Sequence, residues 1–437
     1  MTAGFMHAHD SAIAGYRDYV TTSFVAAVEP IVIDKAEGAT IWDADGSEYI
    51  DCFAGISVVN AGHRHPKVIA AAKAQLDQVV HAASYIYHVP VVAEAAKELA
   101  RITPGSLQKT FFGNSGAEGI ETAMRLAKAY TGKSEIISLT HSFHGRTNAT
   151  LAITGNKARK TRGGPYPSGI AFAPAPYVYR NPFNTDDPEI VAQRSAEMVE
   201  WAINYQLSGD VAAFIAEPVM GEGGILIPPG NYFKYVKEVL DRHGILFIAD
   251  EVQSGFGRTG KLFAIEHFGV EPDIMVMAKG IADGFPLSAT IARAEIADSL
   301  RPGEHLSTFG GNPVSCAAAI ANVQVMEEEN LSAESARKGE RALDRLWELQ
   351  ANNPLIGDVR GLGLMIGVEL VTDRKSKEPA SKAAAAIRAY AREQGVLIGV
   401  GGPQGNVLRL QPPLVIADNA LDRALDVIES GLERARS

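Results

Sequence analysis

Five apolar runs in this chain each end on residues capable of polar chemistry. After Lys109–Phe112 come Gly113, Asn114, Ser115, Gly116 and Ala117. After Glu135–Leu139 comes the stretch from Thr140 to Arg146, which holds Phe143, His144 and Arg146. Glu217 follows Ala212–Ala216, Asp250 follows Ile245–Ala249, and Lys279 follows Ile274–Ala278. An anion cradle, an aromatic ring, two carboxylates and an amine thus stand at equivalent points of successive runs.

Lysine is the odd member, because lysines are almost never fully buried without a partner. Alone, Lys279 reads equally as half of a structural ion pair or as a Schiff-base lysine, whose amine must be neutral to attack a carbonyl. Asn-Ser-Gly before a helix is, alone, an ordinary cap, and Phe143 alone is ordinary core. Together they demand more. Free N–H groups and the positive dipole end of a helix suit a phosphate. Asp250 can hold a proton on a pyridine nitrogen, and Lys279 can carry an aldehyde. These are the needs of pyridoxal 5′-phosphate (PLP).

Such residues need a scaffold that delivers them to one rim. Between about residues 65 and 330, short apolar runs alternate with helix-period segments at Pro66–Val80, Ala117–Tyr130, Glu189–Tyr205, Tyr232–His243 and Pro313–Glu328. The runs are continuous rather than alternating, as expected of parallel strands covered on both faces. That pattern predicts an open α/β sheet, whose ligands sit outside the carboxyl ends of the strands. A hairpin is expected in TIWDADGSEYID, and helices over 335–351, 381–395 and 420–436. Gly361–Leu370 reads as a turn followed by a strand. The expected division is 1–65 and 331–437 in a smaller α+β unit, with 66–330 as the large domain.

Composition narrows the function. The 437 residues carry 41 Lys plus Arg against 51 Asp plus Glu, a formal charge of −10, which argues against a generic nucleic-acid surface. No apolar run approaches the ~20 residues needed to span a bilayer, and no secretory leader is read at the N-terminus, so a cytoplasmic protein is expected. Cys52 and Cys316, the only two cysteines, read as buried thiols. His63 and His65 in GHRHP read as loop residues rather than metal ligands, and no metal site is expected. Glu327-Glu328-Glu329 reads as a solvated helix end.

The segments FFGNSGAEGIETAMRLA, FHGRT, IAEPVMGEGG, FIADEVQSGFGRTG, MVMAKGIADGFPLSA and STFGGNPVSCAAA resemble, in order, the motifs of class III (fold type I) PLP-dependent aminotransferases. The likeness runs from about Trp42 to Leu414 and is greatest to bacterial 4-aminobutyrate aminotransferases. It implies a mostly parallel seven-stranded sheet flanked by helices, and transamination of an ω-amino acid with 2-oxoglutarate. By the same resemblance Lys279 is the Schiff-base lysine, and Asp250 pairs with the pyridine nitrogen. Ser115, Gly116 and Ala117 bind the phosphate, Phe143 stacks on the ring with His144 beside it, and Gln253 approaches the 3′-oxygen with Glu217 supporting it. Thr308 reaches the phosphate of a neighbouring subunit, which implies a homodimer or a dimer of dimers with shared sites. Arg146 binds the donor's distal carboxylate, Ile56 narrows the pocket, and Glu222 with Arg409 forms a gate. In that gate Glu222 neutralises Arg409 for an ω-amino donor and swings away when an α-carboxylate arrives.

Two positions depart from the pattern: GNSGAE stands where relatives often carry a threonine, and Met220 where glutamine is common. Neither removes a required group. Ornithine, acetylornithine or diamine transamination, racemisation or epimerisation on the same scaffold, and a catalytically silent binding protein are the alternatives.

Overall fold

The apolar runs do form strands, and they share one sheet. A computed structural model describes residues 8–21 and 28–436. In it β1 (Lys109–Gly113), β2 (Glu135–Leu139), β3 (Ile170–Ala173), β4 (Val211–Ala216), β5 (Leu246–Asp250), β6 (Ile274–Met277) and β7 (Ser288–Ala292) lie in the spatial order β1-β7-β6-β5-β4-β2-β3. Strands β2 to β6 pair in parallel, whereas β7 runs antiparallel to both β6 and β1. The sheet is the mostly parallel seven-stranded one that fold type I implies.

Every residue of β4, β5, β6 and β7 is buried, and β4, β5 and β6 accordingly carry no polar alternation. β1 departs from the expectation of a strand covered on both faces. It is an edge strand with Lys109 exposed and its first half only partly covered. β3 and β7 were not among the five predicted runs; β7 is interrupted by Ser288 and Thr290.

Helices Gly116–Thr131, Pro188–Tyr205, Tyr232–His243 and Pro313–Glu328 fall close to their predicted spans. The helix from Pro66 stops at Leu76 rather than Val80, because Gln75 turns its amide onto the Val79 carbonyl at 3.0 Å and the chain leaves the axis after Asp77. A further helix, Pro90–Ile102, precedes β1.

Both ends of the chain build the remaining sheets. Thr40–Asp43 and Glu48–Asp51 form the expected hairpin, and Val396–Leu397 joins Glu48–Asp51 in parallel. Gly361 and Leu362 complete a strand from Ile356 instead of opening a turn. The turn is Gly363-Leu364, and Met365–Asp373 returns antiparallel. Strand Val407–Leu410 pairs with Met365–Asp373 and carries Arg409 toward the large sheet. The Glu327–Glu329 end is exposed but not merely solvated: Arg101 grips Glu327, Lys67 meets Glu328, and His65 lies 3.0 Å from Glu329. Among the described residues, no helix is long and apolar enough to cross a membrane.

Candidate active site

The carboxyl ends of β1, β2, β4, β5 and β6 converge, as the sheet topology requires. At β1, Ser115 caps the helix Gly116–Thr131 in a reciprocal capping box with Glu118. The box occupies the Glu118 and Ser115 N–H groups and leaves those of Gly116 and Ala117 without an acceptor among the described residues. A Cβ on Gly116 would lie 2.9 Å from Val252 Cγ1, so glycine lets this helix end close onto the turn after β5.

That turn holds the acid. Asp250 is 3% exposed; its Oδ2 lies 2.7 Å from His144 Nδ1, and its Oδ1 accepts the Val252 N–H at 3.1 Å. Phe143, half-buried, comes from the loop after β2, and its N–H donates to Glu217 Oε1 at 2.9 Å. Glu217 Oε2 accepts the Gly221 N–H at 3.0 Å. Burial, reinforced by Asp250 and opposed by His144, pushes the Glu217 carboxyl up to about 7.

Support of Gln253 by Glu217 is not what the structure shows. Gln253 Oε1 accepts from Gln411 Nε2 at 3.0 Å, and Gln411 also donates to Ser57 Oγ at 2.7 Å. Glu217 already spends both oxygens on backbone N–H groups, so it has no reason to turn toward Gln253. A Cβ on Gly221 would fall 2.1 Å from Gln253 Oε1, so the loop after β4 and the turn after β5 touch here. Ser57 adjoins Ile56, whose φ of +70° sets it on an exposed turn at the same place.

Lys279 lies just past β6, with φ at +46° in the left-handed region that costs a lysine roughly 1 kcal/mol. The Asn322 amide holds this conformation by donating to Gly280 O at 2.8 Å and Ile281 O at 3.2 Å. Among the described residues Lys279 makes no hydrogen bond and no ion pair, so the structural-salt-bridge reading fails. Burial lowers its pKa from the ordinary lysine value against the opposing pull of Glu222, Asp250 and Glu217; Arg409 adds to the fall. The neutral amine is thereby favoured.

Above the lysine sits Glu222. Its Oε1 lies 2.9 Å from Arg409 Nη1 and its Oε2 3.1 Å from Arg159 Nη2. Burial works to raise this carboxyl, yet Arg409, Lys279 and Arg159 outweigh it and hold the pKa at about 2. Arg409 is itself 3% exposed, stacks 5.2 Å over the Phe53 ring, and gives a further bond to Gly221 O at 3.3 Å. The Glu222 loop is clamped by Arg360 of the strand Ile356–Leu362, which donates to Gly224 O at 2.6 Å and pairs with buried Glu369 at 2.9 Å. Arg146 is exposed, 5.5 Å over the Phe143 ring, without an ion pair among the described residues. Thr308 is exposed and stands apart from the rest, although its neighbour Ser307 accepts from Asn114 at 3.3 Å.

The family model for class III aminotransferases matches residues 23–432. The chain belongs to that family. It is 41% identical to a probable 4-aminobutyrate aminotransferase of Bacillus subtilis, covering 91% of this chain and 92% of that one. It is 42% identical to a leucine/methionine racemase of Thermococcus litoralis, covering 92% and 90%. An amine transaminase from an uncultivated Pseudomonas species, solved with PLP bound as the internal aldimine, superposes with a TM-score of 0.90 at 32% identity over 96% of this chain and 99% of that one.

This aminotransferase is therefore PLP-dependent, and the residues present suit the cofactor. Among the described residues, the Gly116 and Ala117 N–H groups are free for an anion, Asp250 is a buried carboxylate held by His144, and Lys279, its pKa lowered by burial, feels the charge of that carboxylate. Gln411, Arg159 and Arg360 were not singled out from the sequence. Gln411 follows Arg409 by two positions in VLRLQPPL and was within reach; nothing in NKARKTRG marks Arg159 off from the cations around it.

Proposed function

We propose that this aminotransferase moves the amine of an ω-amino acid, 4-aminobutyrate foremost, to 2-oxoglutarate, giving succinate semialdehyde and glutamate in two half-reactions. The observation that carries the reading is the closed Glu222–Arg409 pair beside Lys279. A buried arginine already neutralised leaves a place for the uncharged end of an ω-amino donor. The same arginine, once released, can grip an α-carboxylate in a bidentate fork.

PLP, when bound, supplies the sink for the electron pair left on the substrate carbon. Lys279 Nζ would be the group that takes and returns the substrate-carbon proton, for which a lowered pKa is the favourable condition. Asp250, oriented by His144, would hold the proton of the ring nitrogen, and Gln253, held by Gln411, would serve the ring oxygen. Ser115, Gly116 and Ala117 hold the phosphate, Phe143 covers the ring, Arg146 meets the distal carboxylate, and Ile56 narrows the entry.

A homodimer is part of this reading, within the cytoplasm that the two buried thiols suit. Val80, Ile86, Tyr87, Leu306 and Phe309 are each at least half exposed, and the His81 and Phe309 rings meet at 5.4 Å, so the loops around Thr308 form one apolar surface. A second copy covering it would bring Thr308 toward that copy's phosphate cradle. Sedimentation should find a dimer or a dimer of dimers; a monomer at micromolar concentration would count against it.

Two measurements test the reaction itself. Lys279→Ala should lose the lysine-linked cofactor absorbance and nearly all turnover; normal turnover in that variant would refute the assignment. A donor panel of 4-aminobutyrate, ornithine, acetylornithine, β-alanine and leucine with 2-oxoglutarate should favour 4-aminobutyrate. The racemase among the relatives motivates a second reading, in which leucine is inverted with no keto acid present.

A further inference from the structure

Glu222 is bridged, not paired. Arg409, on the strand Val407–Leu410, holds one oxygen and Arg159, in the loop after β2, the other. Arg159 closes the short 3-10 turn Lys157–Arg159, which is fixed at both ends. Asn156 Oδ1 accepts the Ala158 N–H at 3.1 Å, and Lys160 Nζ donates to Ala152 O at 3.1 Å while lying 4.6 Å over the Phe172 ring. Its guanidinium is therefore presented from a framed position. The Arg159 Nε is buried with no partner, although Nη2 of the same group already reaches Glu222. The Nε–H and an Nη–H form the edge that donates to both oxygens of a carboxylate.

We propose that Arg159 is a specificity-determining positioning residue: it is the station to which Glu222 retires when Arg409 takes a substrate's α-carboxylate. The inference rests on the proposed gate and assigns the residue that lets it open. In the closed arrangement Glu222 divides its oxygens between two arginines. When a substrate carboxylate displaces it from Arg409, the freed oxygen moves toward the vacant Arg159 Nε, and the largely buried carboxylate keeps a cation. Without Arg159 the displaced Glu222 would lose its remaining guanidinium. It would then cling to Arg409 and compete with the keto acid. An ω-amino donor, which leaves the Glu222–Arg409 pair closed, would not feel the loss.

The test follows each half-reaction of the holoenzyme separately by cofactor absorbance. Arg159→Ala should raise the KM for 2-oxoglutarate roughly 10-fold or more and change the 4-aminobutyrate half-reaction by less than about 3-fold. Arg159→Lys, which keeps a charge but not the fork, should fall between. In an E222Q background no displaced charge remains, so adding Arg159→Ala should leave the 2-oxoglutarate KM within about 2-fold. Equal loss in both half-reactions, no loss in either, or an undiminished effect in the E222Q background would each overturn the inference while leaving the transaminase reading intact. A wild-type enzyme that accepts no α-carboxylate substrate would overturn both.

Discussion

Asp250 Oδ2 lies 2.7 Å from Nδ1 of His144, and both residues are 3% exposed. His144 is anchored behind this contact, with Nε2 3.3 Å from Ser138 Oγ and its own N–H donating to Thr154 Oγ1 at 3.1 Å. The imidazole thus fixes the rotation of the carboxylate, as an outer partner fixes a metal ligand. His144→Ala should cut kcat about 10- to 100-fold, a cost typical of losing such a partner. It should also shift the pH dependence of the cofactor absorbance, because Asp250 would turn. Asp250→Ala should cost at least as much. Wild-type kcat in His144→Ala at full cofactor occupancy would remove the orienting role.

Glu251, next along the chain, faces away into the protein. It is fully buried and accepts from Ser254 Oγ at 2.5 Å and the Ile265 N–H at 2.7 Å. Burial outweighs these bonds and pushes its carboxyl from 4.5 up to about 7. The folded chain therefore keeps a proton that the unfolded chain gives up as pH rises past about 4.5. The stabilisation is complete below that pH and is lost as pH climbs through about 7, by up to about 3 kcal/mol. Glu251→Gln cannot ionise, so its melting temperature should gain on the wild type between about pH 5 and pH 8. A gap between the two melting curves that is constant with pH would contradict this.

The helix Gly116–Thr131 can lie close on the sheet only because residue 119 lacks a side chain. A Cβ there would stand 2.7 Å from Val276 Cγ1 on β6, and Thr290 of β7 ties the Gly119 carbonyl down at 2.8 Å. Gly119→Ala improves helix propensity by about 1 kcal/mol, while overpacking costs about 1–3 kcal/mol. Because the backbone is pinned at this point, overpacking should win. A fall of about 2–4 °C per kcal/mol is expected in thermal melts at fixed PLP concentration; a rise would show that the helix can lift away.

The legible part of this molecule is the part where one run of chain decides the outcome. Continuous burial of β4, β5 and β6 needs continuous apolar sequence, so those strands and the residues at their ends could be read directly. Lys279 stood out because an amine after such a strand is costly unless used. Gln411 and Arg159 could not be read so directly, since each acts through a partner more than 60 positions away, Gln253 and Glu222. Arg159 also sits among Lys157, Lys160 and Arg162, where a solvated loop is the natural reading. Support of Gln253 by Glu217 failed for the same reason: the strand end locates Glu217, but only the tertiary structure shows its oxygens committed to Phe143 and Gly221.

Arg146 gives the sharpest test of donor choice. It is exposed over the Phe143 ring, and among the described residues no carboxylate satisfies it. A donor's distal carboxylate would supply a charge-assisted bond of the kind worth about 1.5–3 kcal/mol, or roughly 10- to 100-fold in affinity. Arg146→Met keeps a comparable apolar stem against Phe143 and removes the charge. The KM for 4-aminobutyrate should therefore rise about 10- to 100-fold, with kcat for the same donor changed little. Butylamine, which has the chain but no carboxylate, should react no worse with the variant than with the wild type. If Arg146→Met impaired both donors alike, the residue would be shaping the loop after β2 and not recognising an anion. If it impaired neither, the distal carboxylate would be held elsewhere, and the preference for ω-amino acids would lose its main support.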